Sequence, residues 1–199
     1  MVSPQANGRS ISGRGVSPKR RRREGGFSLI ELLLVVAILV IVGGIAIPLS
    51  GTVVGQAKAD SAAAVALAAL QETRARAMAE RRDFELDFVA PNVIRVSRID
   101  DGEATVVAET VLEGGQEFQL GDDVTPLAEF GADEAIHFTG TAPVRFTTDG
   151  SLIDSNGDPV NGTIHLAHDV NADSSRAVTI LGATGLMQTW KWTGSGWSE

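Results

Sequence analysis

The feature that most limits this chain is the stretch from Phe27 to Ala57, FSLIELLLVVAILVIVGGIAIPLSGTVVGQA, which holds one ionisable side chain, Glu31. From Leu32 to Ile47 it is apolar throughout, apart from Gly43 and Gly44. As a helix rising about 1.5 Å per residue, residues 27 to 47 extend on the order of 30 Å, enough to cross a bilayer. Just ahead of it, Lys19, Arg20, Arg21, Arg22 and Arg23 form a basic cluster. Basic residues stay on the cytoplasmic side of a span, so the N-terminus is expected in the cytoplasm and everything after residue 50 in the periplasm or outside. A single membrane span with that orientation is what this implies.

Charge is divided unevenly around that stretch. Seven Lys and Arg residues precede residue 27 against Glu24 alone, so residues 1–26 carry six net positive charges. Residues 27–199 keep 10 basic and 24 acidic side chains, a net of −14, although the whole chain is only −8. An acidic product of that kind disfavours a bulk-electrostatic grip on nucleic acid. Residues 1–26 are rich in Ser, Gly, Pro and Arg and cannot bury enough surface to offset the entropy of ordering. Cysteine is absent, which removes disulfides and thiolate metal sites. A chain of 199 residues, 43% hydrophobic, supports one globular core plus an accessory segment.

Beyond the apolar run, residues 58–82 are dominated by Ala, Leu, Glu, Gln and Arg, and Ala63, Leu67, Leu70, Arg74 and Ala77 recur at helical spacing. An amphipathic continuation of the helix follows. Gly43, Gly44, Pro48, Gly51 and Gly55 interrupt helix propensity between the halves, which predicts a kink or a locally melted turn. After residue 83 the period becomes two, with strands expected over 84–88, 93–97, 104–112, 117–120, 135–138, 144–147, 163–167, 177–181 and 187–192. Turn signals stand at Pro91-Asn92, Asp101-Gly102, Asp149-Gly150, Asn156-Gly157, Asn161-Gly162 and Gly182 to Gly185. The fold class is α+β: a long N-terminal helix, transmembrane then amphipathic, packed against a C-terminal antiparallel β-sheet head. The divisions are 1–26, a cytoplasmic leader; 27–82, the helix; and 83–199, the β-rich head.

Three features stand at fixed relative positions: Gly25-Gly26 before Phe27, Glu31 five residues into the chain that would begin at Phe27, and the apolar run behind it. Together they resemble the prepilin processing motif of type IV pilins and of the pseudopilins of type II secretion, and Pro48 stands where those helices commonly bend. The resemblance implies cutting between Gly26 and Phe27 by a prepilin peptidase, methylation of the new Phe27 amine, and assembly with other pilins or pseudopilins into a filament. Glycine before the bond leaves its backbone unhindered, and the basic leader holds it at the cytoplasmic face. Glu31 lies one turn inside the apolar segment, where an unpaired carboxylate costs roughly 2.5–3.5 kcal/mol at depth, so it needs a partner. The family supplies one in the N-terminal amine of a neighbouring subunit, here that of Phe27. A secretory signal has a shorter apolar core, about 7–15 residues, and cleaves at its far end. A plain signal anchor accounts for the arginines and the span but not for Gly26, Glu31 and Pro48.

The segment 143–166, PVRFTTDGSLIDSNGDPVNGTIHL, followed by Ala177 to Ile180 and Gly182 to Leu186, is similar to the C-terminal half of GspH/FimT-like minor pseudopilins. That implies a role in a type II secretion pseudopilus or a type IV pilus, hence in protein secretion or pilus biogenesis. A tip-located module capturing DNA or a surface is the alternative. Some relatives bind DNA through a Gly-Arg segment near the C-terminus; here residues 182–188 read GATGLMQ without arginine, which counts against DNA as a partner. Trp190, Trp192 and Trp197 read as packing residues rather than as a base-stacking platform.

Asp154, Asn156 and Asp158 have the alternating oxygen spacing of a calcium loop, but Pro159 replaces the expected glycine and His165 the bidentate glutamate. An Asn-Gly hairpin explains them equally, and no metal or cofactor is assigned. His165 and His168, three apart near a strand end, should face opposite ways, and His137 reads as a half-buried strand residue. No nucleophile triad, phosphate loop or carboxylate pair stands out, so the reading is not an enzyme.

Overall fold

The computed structural model describes residues 28–130, 134–168 and 172–199, and the side chains of these apart from 42–53. The chain divides into two compact units, residues 1–43 and 44–199. Helix α1 (Leu29–Glu80) has helical backbone at Gly43, Gly44, Pro48, Gly51 and Gly55, so the melted turn expected there is not found. Helix growth is cooperative, and Leu- and Ala-rich flanks carry it past residues that cost about 1 kcal/mol (Gly) to 3 kcal/mol (Pro) each. The helix stops at Glu80, short of the expected residue 82. There Arg81 turns left-handed (φ 53°), and the Arg82 N–H donates to the Ala77 carbonyl at 3.3 Å. That bond closes the last turn as a C-terminal cap.

The strands are β1 (Asp83–Val89), β2 (Val93–Asp100), β3 (Glu103–Val111), β4 (Gln116–Glu117), β5 (Ile136–Phe138), β6 (Val144–Phe146), β7 (Leu152–Ile153), β8 (Gly162–His168), β9 (Arg176–Leu181), β10 (Leu186–Trp192) and β11 (Trp197–Ser198). They form two sheets, one ordered β3-β2-β1-β6-β7, the other β11-β10-β9-β8-β4 with β5 also on β8. Every pairing is antiparallel. The β2–β3 hairpin turns at Asp101 (φ 51°) and Gly102 (φ 89°), the two positive values that an Asp-Gly hairpin turn needs.

Two expectations change. The strand read over 117–120 shrinks to Gln116–Glu117, pairing with Ala167 and His168. Asn161-Gly162 is not a turn: Gly162 opens β8 opposite Phe138, and a Cβ there would lie 2.3 Å from the Phe138 ring. The glycine is needed because an aromatic ring occupies the space a side chain would fill.

One core joins helix and sheets. Ala63, Ala66, Leu70 and Ala77 of α1 pack with Phe84 and Leu86 of β1, Ile94 and Val96 of β2, Phe146 of β6, Ile164 and Leu166 of β8, and Val178 and Ile180 of β9. Alanine lets the strands approach the helix closely, while Leu70, fully buried, contributes roughly 1.5–3 kcal/mol. Among the described residues, every buried core side chain lies at or after Ala59.

Candidate assembly site

Gly26 and Phe27 lie outside the described residues, which begin with the helix entrance. The Ser28 carbonyl accepts from the N–H groups of Glu31 (2.9 Å) and Leu32 (3.1 Å), which makes Ser28 the residue that opens α1. Glu31 then sits in the first turn, where a carboxylate faces the positive end of the helix dipole. Ser28-Leu29-Ile30-Glu31 also has the S-x-x-E pattern of a helix start, but the bond from the Glu31 carboxylate back to the Ser28 N–H that would complete a capping box is not formed. Among the described residues, no side-chain hydrogen bond or ion pair reaches its carboxylate.

Around Glu31 the helix offers only hydrocarbon. Leu29, Ile30, Leu32, Leu33, Leu34, Val35 and Val36 are all exposed, as are Ile38 through Ile41, and consecutive residues cover every side of a helix. A helix that is apolar all round belongs inside lipid or among other helices. Among the described residues no helix is long and apolar enough to cross a membrane. The span expected over 27–47 runs on to residues 42–47, whose side chains, like that of Pro48, lie outside the described set.

The head accounts for its other candidates internally. Asp154 is buried, and its carboxylate accepts from the N–H groups of Asn156 (2.8 Å), Asp158 (3.0 Å) and Thr141 (3.2 Å) and from the Asn156 amide (3.1 Å). Burial raises its pKa, but these four donors outweigh that and hold it below the usual carboxylate value. Each carboxylate oxygen accepts two N–H donors, which closes the loop as a hydrogen-bonded turn. No cluster able to hold a metal occurs among the described residues. Asp149 is tied likewise to the Thr147 hydroxyl, then to the Ser151 hydroxyl (2.7 Å) and N–H (3.0 Å), which lower its pKa to about 2.

His165 is a satisfied core residue. Its Nε2 accepts from the Leu127 N–H at 3.2 Å, and its Nδ1 lies 3.1 Å from the Glu134 carbonyl, to which it donates as the neutral tautomer. Burial lowers its pKa. His168 is exposed and meets the Gly115 carbonyl at 2.7 Å, so the two imidazoles do face apart. The tryptophans are also engaged: Trp190 donates to Thr179 and Trp197 to the Thr125 carbonyl, while Trp192 and Trp197 pack edge to face at 5.5 Å.

The turn at residues 182–185 does have an arginine, supplied by the helix. Arg74 donates through Nε to the Gly150 carbonyl and through Nη2 to the Thr184 carbonyl, both at 2.9 Å. Gly185 sits under it at φ 63°, where a Cβ would fall 2.2 Å from Arg74 Nε. A second helix-to-sheet tie was not legible in the sequence. Arg176, 2% exposed, donates to Asp60 at 2.6 Å and to the carbonyls of Ser175 and Asp173. The first tie fastens α1 to the β6–β7 and β9–β10 turns, and the second fastens it to β9.

Residues 21–47 match the family of the prokaryotic N-terminal methylation motif. No curated protein matches the chain. Among solved structures, it is similar to the minor pseudopilin EpsH of the Vibrio cholerae type 2 secretion system, at 11% identity and a TM-score of 0.47, over 67% of this chain and 97% of that one. It is also similar to the type IV minor pilin FimU of Pseudomonas aeruginosa in two crystal forms. One gives 15% identity and a TM-score of 0.42 over 67% of this chain and 90% of that one. The other gives 14% and 0.44 over 72% and 92%. Residues 21–47 thus carry a prokaryotic N-terminal methylation motif ahead of an α+β head.

Proposed function

We propose that this chain is a minor pilin or pseudopilin subunit, inserted in the inner membrane with its N-terminus cytoplasmic and its head periplasmic. It is cut after Gly26 by a prepilin peptidase and then added to a filament. One observation carries the reading: an all-round apolar helix, exposed from Leu29 to Ile41, whose one charge is Glu31 in the opening turn. Its position within the matched methylation motif supports the same conclusion.

The chemistry follows from placement. Removing residues 1–26 takes away the six net positive charges that hold the segment at the cytoplasmic face and creates an amine at Phe27. Within one chain that amine would lie about one helical turn from Glu31. Between neighbours, an amine and a carboxylate meeting among leucines and valines gain strongly from the low dielectric. Their contact would set how far one subunit advances past the next, while Leu29, Leu32, Leu33, Val36, Leu39 and Val40 exchange lipid for neighbouring helices. The role is one of assembly rather than catalysis.

In cells carrying the matching assembly machine, Glu31→Ala should leave the head folded and the protein in the membrane fraction. It should be lost from sheared or cross-linked filaments, whereas Glu31→Asp keeps part of that incorporation. Incorporation of Glu31→Ala at the level of the unaltered chain would refute the proposal.

A further inference from the structure

The first sheet ends on β3, nine residues long, whose outer N–H and C=O groups meet no strand among the described residues. The sheet's other border, β7, is two residues long, and its neighbourhood is closed by the Leu152 N–H to the Gly182 carbonyl at 2.8 Å and the Ile153–Pro159 bridge. In the second sheet the border strands β4 and β11 have two residues each. Proteins guard long edges with charged residues, lysine above all, with proline, with bulges or with a covering element, because an open ladder recruits another strand; on β3 the guards are Glu103, Glu109 and one bulge. β3 contains neither lysine nor proline, and Val106 (53%) and Val111 (54%) stand exposed on it. A bulge opposite Val96 and Ser97 leaves Val107 without a partner in β2 but does not cover the edge.

Charge identifies what can dock. Between residues 101 and 115 the chain has Asp101, Glu103, Glu109 and Glu113 and no Lys or Arg. Of these, Glu109 is matched by Arg95 at 2.7 Å. A second copy would bring the same carboxylates to the shared ladder, and like charges across a strand pair destabilise it.

We infer that β3 is a docking edge for an extended segment of a different protein, one that alternates apolar residues and carries basic residues at its ends. Backbone ladder bonds supply the affinity, Val106 and Val111 the apolar contact, and the unpaired acids the choice of partner. The inference stands apart from the filament reading.

The test is amide hydrogen exchange on the full chain in mild detergent, with a synthetic peptide of alternating valine and threonine, lysine-flanked, at millimolar concentration. Residues 103–111 should exchange about tenfold more slowly with that peptide, and not with its glutamate-flanked counterpart. Val106→Lys and Val111→Lys, both at exposed sites outside the core, should abolish the protection without changing exchange elsewhere. The inference is overturned by absence of protection, by equal protection from the glutamate-flanked peptide, or by unchanged protection in both lysine variants. Protection that grows with protein concentration without peptide also overturns it, since the occupant is then a second copy.

Discussion

The two halves of α1 have the same backbone conformation and opposite surroundings. From Leu29 to Ile41 every large apolar side chain is exposed, while Ala59, Ala62, Ala63, Ala66, Leu70 and Ala77 are buried under two sheets. The difference lies in pattern and size. The second half confines its apolar residues to one stripe of small side chains that fits against strands. The first half has bulky branched residues all round, which no single face of a sheet can bury. A stripe finds its partner inside the same chain; a fully apolar cylinder finds it in lipid or in other chains.

The sharpest contrast comes from one chemical change made in each half. Leu70→Ala should cost the head about 3 kcal/mol, because it leaves a cavity where the site cannot collapse. Leu33→Ala should change head stability by less than about 0.5 kcal/mol while lowering filament incorporation. Urea unfolding followed by tryptophan fluorescence reads the head alone, since all three tryptophans lie at 190, 192 and 197. Equal losses from the two variants would break the comparison.

The points where the buried half is fastened come next. Gly185→Ala forces a side chain into a left-handed position already occupied by Arg74 and should cost about 2 kcal/mol by the same unfolding measurement. Asp60→Ala should cost about 1 kcal/mol. It strips a buried guanidinium of its counter-charge, but Asp60 is 58% exposed, so water screens the pair and stands in for the lost carboxylate. Neither change should affect insertion of the first half into the membrane.

The smallest effect is on pH dependence. Burial holds the His165 pKa below its usual value near 6.5. Below that value the unfolded chain takes up a proton that the folded head refuses, so the head loses stability as pH falls from 7 to 5. His165→Gln should flatten that part of the stability-pH curve, and the first half of the helix, without histidine, should show no counterpart.

Much of this division was legible beforehand. Composition located the apolar segment, and periodicity located the stripe through Ala63, Leu70 and Ala77 and the strand pairs around the Asp101-Gly102 turn. The misses have physical causes. β7 and β11, two residues each, are defined by what lies beside them and carry no period of their own. Asn161-Gly162 looked like a turn because the chain cannot announce that Phe138 will lie over Gly162. The Arg176–Asp60 tie joins residues 116 apart, beyond any local pattern. At the candidate assembly site, Glu31 was legible as the one charge in an apolar run, four residues past Phe27.

The central claim is that the first half of α1 is made available to partners by removal of the leader. Intact-mass and N-terminal peptide mass spectrometry of the chain, purified from a host with an active prepilin peptidase, tests it most directly. The account expects a chain that begins at a methylated Phe27. A chain that keeps Met1 and its arginines, or one cut beyond Ile47, would contradict it.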